Sequence, residues 1–104
     1  MDHIKKLRDI IDEIDLKVAD LVEERVKIAQ KIGLLKTEKG MPIHQPEREA
    51  EIIRSMKKSI STLSSESTGA IWKEIIKACR MMEEGQLRKK YLLIVQQRAR
   101  SMNP

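Results

Sequence analysis

Arg25 interrupts an otherwise apolar helical face, and a guanidinium cannot shed its proton to suit such a place. Reading heptads from Ile4, the a positions are Ile4, Ile11, Val18, Arg25 and Ile32, and the d positions are Leu7, Ile14, Leu21, Ile28 and Leu35. Once that face is covered, the charge must meet an anion, either a neighbouring Glu or a ligand. Lys36 follows three turns later and within about 20° of the same direction, so both cations can line one groove. Glu83 is a second charge on an apolar stripe, after Ile71/Trp72, Ile75/Ile76, Cys79 and Met82. Pooled cations suit a small polyanion, because Arg grips carboxylates bidentately while Lys supplies a compact, movable charge.

Each of these residues also has a plainer reading. Arg25 could set the register of a coiled coil by pairing with a partner Glu. Cys79 fits a core position and Glu83 a boundary position, while Arg48 and Glu49 have the spacing of a solvated surface pair. Arg8 lies roughly 25 Å along the helix from Arg25, too far to share a small ligand within one chain. Antiparallel packing of two long helices would instead bring Arg8 of one chain toward the Arg25 region of the other.

The elements that must position these groups are helical. Residues 4 to 38 contain no Pro and a single Gly, Gly33, which predicts a helix of roughly 50 Å. A compact domain of this size has a radius of gyration of about 13 Å, so the helix outruns its domain and its seam calls for a second chain. An obligate dimer is expected. Gly40, Pro42 and Pro46 mark a loop, and Pro46 opens a short helix to about Lys58 with Ala50, Ile53 and Met56 on one face. A Ser-rich linker follows, in which Ser64 or Ser65 can cap a third helix running from about Glu66 into the Gln86 to Val95 region. Gly85 weakens that helix without ending it, and residues from about 96 to 104 are expected to fray. The layout is a single all-α domain over 1–104, three helices in the order long, short, long.

The chain has 104 residues, of which 36% are charged and 2% aromatic, with a net charge of +5. No alternating β-branched run argues for strands. Cys79 has no partner for a disulfide, and neither a secretory leader nor a long apolar run is visible, which predicts a cytoplasmic protein that engages no membrane. His3 and His44 lack companions at ligand spacing, so no metal is expected. The positive charge invites anions of any size, from a dicarboxylate to nucleic acid. Without stacking aromatics or a helix-turn-helix, nucleic acid is the second choice, resting on Arg88, Lys89, Lys90, Arg98 and Arg100.

The combination Leu7-Arg8, Asp12-Glu13-Ile14-Asp15, Glu24-Arg25, Ile28-Ala29, Gly33, Lys36, Pro42-Ile43 and Glu47-Arg48-Glu49 resembles the all-helical AroQ class of chorismate mutases. Ile71-Trp72-Lys73-Glu74-Ile75-Ile76, leading to Cys79 and Glu83, is similar to that family's last helix. The resemblance spans about residues 4 to 86. It implies an intertwined homodimer with two shared sites and an enzyme that converts chorismate to prephenate, a rearrangement within one molecule for which no cofactor is expected. With no room in 104 residues for a dehydratase, dehydrogenase or regulatory domain, a monofunctional enzyme is expected. By position, Arg8 would be donated from the partner, Arg25 would hold a substrate carboxylate, and Lys36 would reach a carboxylate and the ether oxygen. Arg48 would assist anion binding, Glu49 would accept from the ring hydroxyl, and Glu83 would face the ether oxygen. Three positions depart from the commoner pattern: Gln45 stands where Asp is frequent, Cys79 where Ser is frequent, and Glu83 where many members have Gln. The same pocket type also serves isochorismate-pyruvate lyases and amino-chorismate mutases, and a basic dimer that binds nucleic acid or serves only for dimerisation is the alternative from another class.

Overall fold

The computed structural model describes residues 2–102, and they form three helices: α1 (His3–Lys39), α2 (Pro46–Ser59) and α3 (Ser65–Met102). Three of the boundaries have a clear local cause. α1 stops at Gly40, whose φ of 68° is left-handed; its N–H donates to the Thr37 carbonyl, and the Met41 N–H donates to that of Lys36, closing the last turn. Pro46 occupies the first turn of α2, where its missing N–H costs no hydrogen bond, and Glu47 and Glu49 face the positive end of the helix dipole. Ser64 caps α3, its Oγ accepting from the Ser67 N–H at 3.0 Å. Helical structure continues through Met102, past the point where fraying was expected. The segment Gln96 to Met102 holds neither Gly nor Pro, and the Ser101 hydroxyl donates to the Gln97 carbonyl one turn back. Residues 103 and 104 lie outside the described residues.

α3 packs against both other helices. Contacts with α1 advance together along both chain segments, from Arg25 over the Trp72 ring, through Gly33 and Lys36 against Glu83, to Lys90 donating to the Thr37 carbonyl. The two helices therefore run in the same direction. Contacts with α2 advance in opposite senses, Glu49 meeting Arg80 and Lys57 meeting Gly69, so α2 returns antiparallel. The buried apolar set is small: Ala29, Ile76 and Cys79. On α2 the half-buried positions include Ile52, Ile53 and Met56, while Ala50 is exposed; on α3, Ile71 and Met82 of the expected stripe are also exposed.

The molecule is long rather than round, 77 × 31 × 16 Å with a radius of gyration of 19.7 Å. At one end, every described residue before Arg25 is exposed, and the seam positions Ile4, Leu7, Ile11, Ile14, Val18 and Leu21 each keep between 49% and 66% of their surface open. At the other end, α3 runs past the last turn of α1, exposing the apolar run Tyr91 to Val95. Charge is divided along the same axis. All acidic residues lie at or before Glu84, where an equal number of Lys and Arg balances them, so the net +5 resides on Arg88, Lys89, Lys90, Arg98 and Arg100. No helix among the described residues is long and apolar enough to cross a membrane.

The α1–α3 crossing has its closest point at Gly33. A Cβ there would lie 2.6 Å from the Glu83 Cα and 3.0 Å from its Cβ and carbonyl oxygen, whereas a Cβ at Gly85 would meet nothing within 4 Å. The same substitution should thus have opposite signs at two helical glycines. Gly33→Ala is expected to destabilise by about 1–3 kcal/mol through overpacking, although Ala is the better helix former. Gly85→Ala is expected to stabilise by up to about 1 kcal/mol. Urea midpoints measured at one protein concentration decide it, and a gain in stability at both positions would contradict the close crossing.

Candidate active site

Beside the crossing, the three helices and the loop after α1 enclose a pocket of about 430 Å³. That volume is in the range for small-molecule sites. α1 supplies Arg25 and Lys36 and the apolar floor Ile28, Ala29 and Ile32. The loop and the start of α2 supply Ile43, Gln45, Arg48 and Glu49, and α3 supplies Ile76, Cys79, Arg80 and Glu83. Every candidate site residue marked in the sequence lines this cavity except Arg8, which sits on the exposed arm of α1. The eleven-residue spacing of Arg25 and Lys36 does place both on the pocket side of one helix.

Lys36 is held by two acceptors. Its Nζ donates to the Ile43 carbonyl at 3.0 Å and to Glu83 Oε2 at 2.9 Å, with both charged side chains nearly buried, at 13% and 12% exposure. An ammonium has three donors, so one N–H stays available. The backbone of Glu83 is the group pressed against Gly33, which sets its side chain off from α3 within reach of Lys36. The crossing thereby fixes a cation on α1 beside a carboxylate on α3.

Arg25 does not, among the described residues, meet the neighbouring Glu that was one of the two anions its sequence position called for. Among the described residues no carboxylate pairs with it; its guanidinium carbon lies 5.9 Å from the centroid of the Trp72 ring, a cation–π contact that steadies the charge without neutralising it. Its donors are left for a ligand. Arg48 also lines the pocket, but its Nη1 pairs with Glu51 on the exposed side of α2. The Arg48–Glu49 pair expected from adjacency is not formed, since neighbours in sequence point about 100° apart on a helix while i and i+3 share a face.

Glu49 instead reaches across to α3. Arg80 Nη1 donates to its Oε1 at 2.7 Å and its Oε2 at 2.8 Å, and His44 Nε2 stands 3.6 Å from Oε2. The hydrogen bond donated to Glu49 outweighs the cost of burial and raises the pKa of the Arg80 guanidinium above its usual value, so Arg80 is a cation at any pH of interest. Arg80 is the pocket residue that sequence reasoning passed over. A signal was present, because Arg80 lies four residues after Ile76 and three before Glu83, at the edge of the buried stripe.

The lining thus carries Arg25, Lys36, Arg48 and Arg80 against Glu49 and Glu83, a surplus of two positive charges. No three His, Cys, Asp or Glu side chains among the described residues come together as a metal cage requires. Among the described residues this is an all-helical protein, and its pocket lining carries more positive than negative charge. Comparison with known proteins gives the class its family. Residues 7–84 match the model for chorismate mutase type II. A bifunctional chorismate mutase/prephenate dehydratase from Aquifex aeolicus is 39% identical over 89 residues, covering 81% of this chain and 25% of that protein. The structure of chorismate mutase (form II) from Thermus thermophilus superposes with a TM-score of 0.77 at 33% identity, over 80% of this chain and 96% of that one. The Helicobacter pylori chorismate mutase in complex with prephenate gives 0.73 at 34% identity, over 82% and 93%. The chain belongs to the chorismate mutase type II family, and it spans about a quarter of the length of the bifunctional Aquifex relative.

Proposed function

We propose that the protein is a chorismate mutase, converting chorismate to prephenate for phenylalanine and tyrosine synthesis. The observation that carries this reading is the surplus of two positive charges in a pocket where Arg25 has no carboxylate partner among the described residues and Lys36 keeps a free N–H. A dicarboxylate substrate balances that surplus. The rearrangement breaks the ether C–O bond and forms a C–C bond within one molecule, with no net proton transfer, so it needs confinement in the reactive shape and support for negative charge growing on the ether oxygen. Arg25 and Arg48 bind carboxylate, the free N–H of Lys36 reaches the ether oxygen, and Glu49 accepts from the ring hydroxyl. Gln45 and Cys79 complete the wall as neutral contacts.

The second part of the proposal is a homodimer with shared sites. The bare seam of α1 supports it, and so does the place of Arg8 on the same arm, directly after the d-position Leu7 and so flanking the seam. Two α1 helices packed antiparallel bury the seam and deliver Arg8 to the partner's pocket.

Glu83 has a further requirement. A carboxylate beside an oxygen gaining negative charge repels it, so Glu83 helps only as a protonated donor. Its partner within the chain is Lys36, for which a substrate carboxylate competes.

Purified protein is expected to accelerate the loss of chorismate with prephenate appearing. Lys36→Ala lowers kcat by about 10²–10³, the worth of a placed donor at such an oxygen, while Lys39→Ala at the helix end changes it little. Equal losses would mean that bulk charge drives the activity. Mixing inactive Arg8→Ala and Arg25→Ala chains under conditions of subunit exchange restores up to about a quarter of native activity, since half the dimers are mixed and each has one intact site; no recovery despite proven exchange would argue against sharing. Finally, kcat/KM of the native protein declines as pH rises, whereas Glu83→Gln, a permanently neutral donor, holds its rate. Parallel profiles would remove Glu83 from the ether oxygen.

A further inference from the structure

Glu49 poses an electrostatic problem for the site described above. It is a carboxylate on the wall of a pocket that must admit a dianion, and its exposure of 23% gives it little water with which to screen its charge. Left alone it would repel the substrate's carboxylates, and its side chain would be free to turn out of the pocket. Arg80 removes both difficulties. The guanidinium comes from the neighbouring helix, is 26% exposed, and places one nitrogen between both carboxylate oxygens at 2.7 and 2.8 Å. Its Nε is 4.0 Å from Glu84, so the arginine is itself tethered along α3. This geometry does not exhaust Glu49, because each carboxylate oxygen has a second lone pair that can accept a hydroxyl proton from the pocket.

We propose that Arg80 is a positioning residue that sets substrate specificity: by compensating and orienting Glu49, it makes the site select ring dianions that bear a free hydroxyl at that point over analogues that cannot donate there. This inference rests on the chorismate reading of the pocket. It concerns Arg80 acting through Glu49 and gives Arg80 no contact with the reacting atoms. A salt bridge that merely tied α2 to α3 would affect every substrate alike. A positioning role affects the hydroxyl-bearing substrate selectively, which makes the ratio of two substrates the informative quantity.

The test compares kcat/KM for chorismate and for its ring-hydroxyl methyl ether, using the native chain, Arg80→Met, Arg80→Lys, Glu49→Gln, and Arg80→Met combined with Glu49→Gln. Native protein should favour chorismate. Arg80→Met should lower that preference by about tenfold or more, chiefly by raising KM for chorismate, because a hydroxyl-reading group that is no longer held loses its discrimination. Arg80→Lys should restore part of the preference, and in the Glu49→Gln background Arg80→Met should change the ratio no further. Helical circular dichroism accompanies each variant; should Arg80→Met fail to fold, Arg80→Lys against the native chain decides by the same ratio. An unchanged ratio with both substrates slowed equally, or an equal effect of Arg80→Met with and without Glu49, would overturn the proposal. A native chain inert toward chorismate would instead overturn the functional reading beneath it, and the two failures are distinct.

Discussion

Almost everything in this molecule depends on how closely α1 and α3 approach at Gly33 and Glu83. A 2.6 Å clearance for a hypothetical Cβ leaves room for hydrogen alone, so the backbone of α3 lies directly on α1 at the level of the pocket. Three consequences share that cause. Glu83 meets Lys36 in a nearly dry setting, Arg25 about two turns before the crossing finds Trp72, and the Thr37 carbonyl at the end of α1 is reached by Lys90. Were the helices separated by the width of a methyl group, the ammonium and carboxylate would admit water and the local Coulomb interaction would weaken several-fold, in proportion to the local dielectric.

Electrostatic arrangement is what the pocket offers. Its two carboxylates are each tied to a cation from another helix, Glu83 to Lys36 and Glu49 to Arg80. That cross-tying keeps the walls from collapsing onto their own counter-ions, and it leaves Arg25 resting on an aromatic face with its charge uncancelled. A preorganised cation of this sort does not have to reorient when a ligand's charge redistributes, the condition under which electrostatics contributes most to a reaction.

Much of this was legible in the chain alone. The three helices, the Gly40 stop, the Pro46 start and a serine cap at 64 or 65, which proves to be Ser64, follow from periodicity and capping chemistry, which are local. So does the common direction of Arg25 and Lys36, which one helix decides alone. What could not be read were the pairings that tertiary packing chooses. Glu49 has a basic neighbour at Arg48, yet its partner is Arg80, 31 residues away, because α2 returns antiparallel and turns that edge toward α3. The extent of α3 was also underestimated: residues 91 to 102 are helical and exposed in the described chain, and they hold no Gly or Pro that would mark an earlier end. The family resemblance marked positions, and the geometry adds which of them are already partnered.

The division of charge along the long axis bears on how fast an anion finds the pocket rather than on how tightly it is held. The body of the chain is electrically balanced, so seen from afar the molecule is a neutral rod with five positive charges at one tip. At about 1.5 Å per residue, Arg88 to Lys90 stand roughly 7–11 Å beyond Glu83 along α3, and Arg98 and Arg100 stand roughly 22–26 Å beyond it. At physiological ionic strength the screening length is about 8 Å, so the nearer three influence an anion arriving at the pocket while the farther two are felt there mainly in dilute buffer. Salt therefore shortens the reach of this tip stepwise along the helix, and encounter rates for a dianion fall with ionic strength even where the pocket's own contacts, sheltered by the helices, are unchanged.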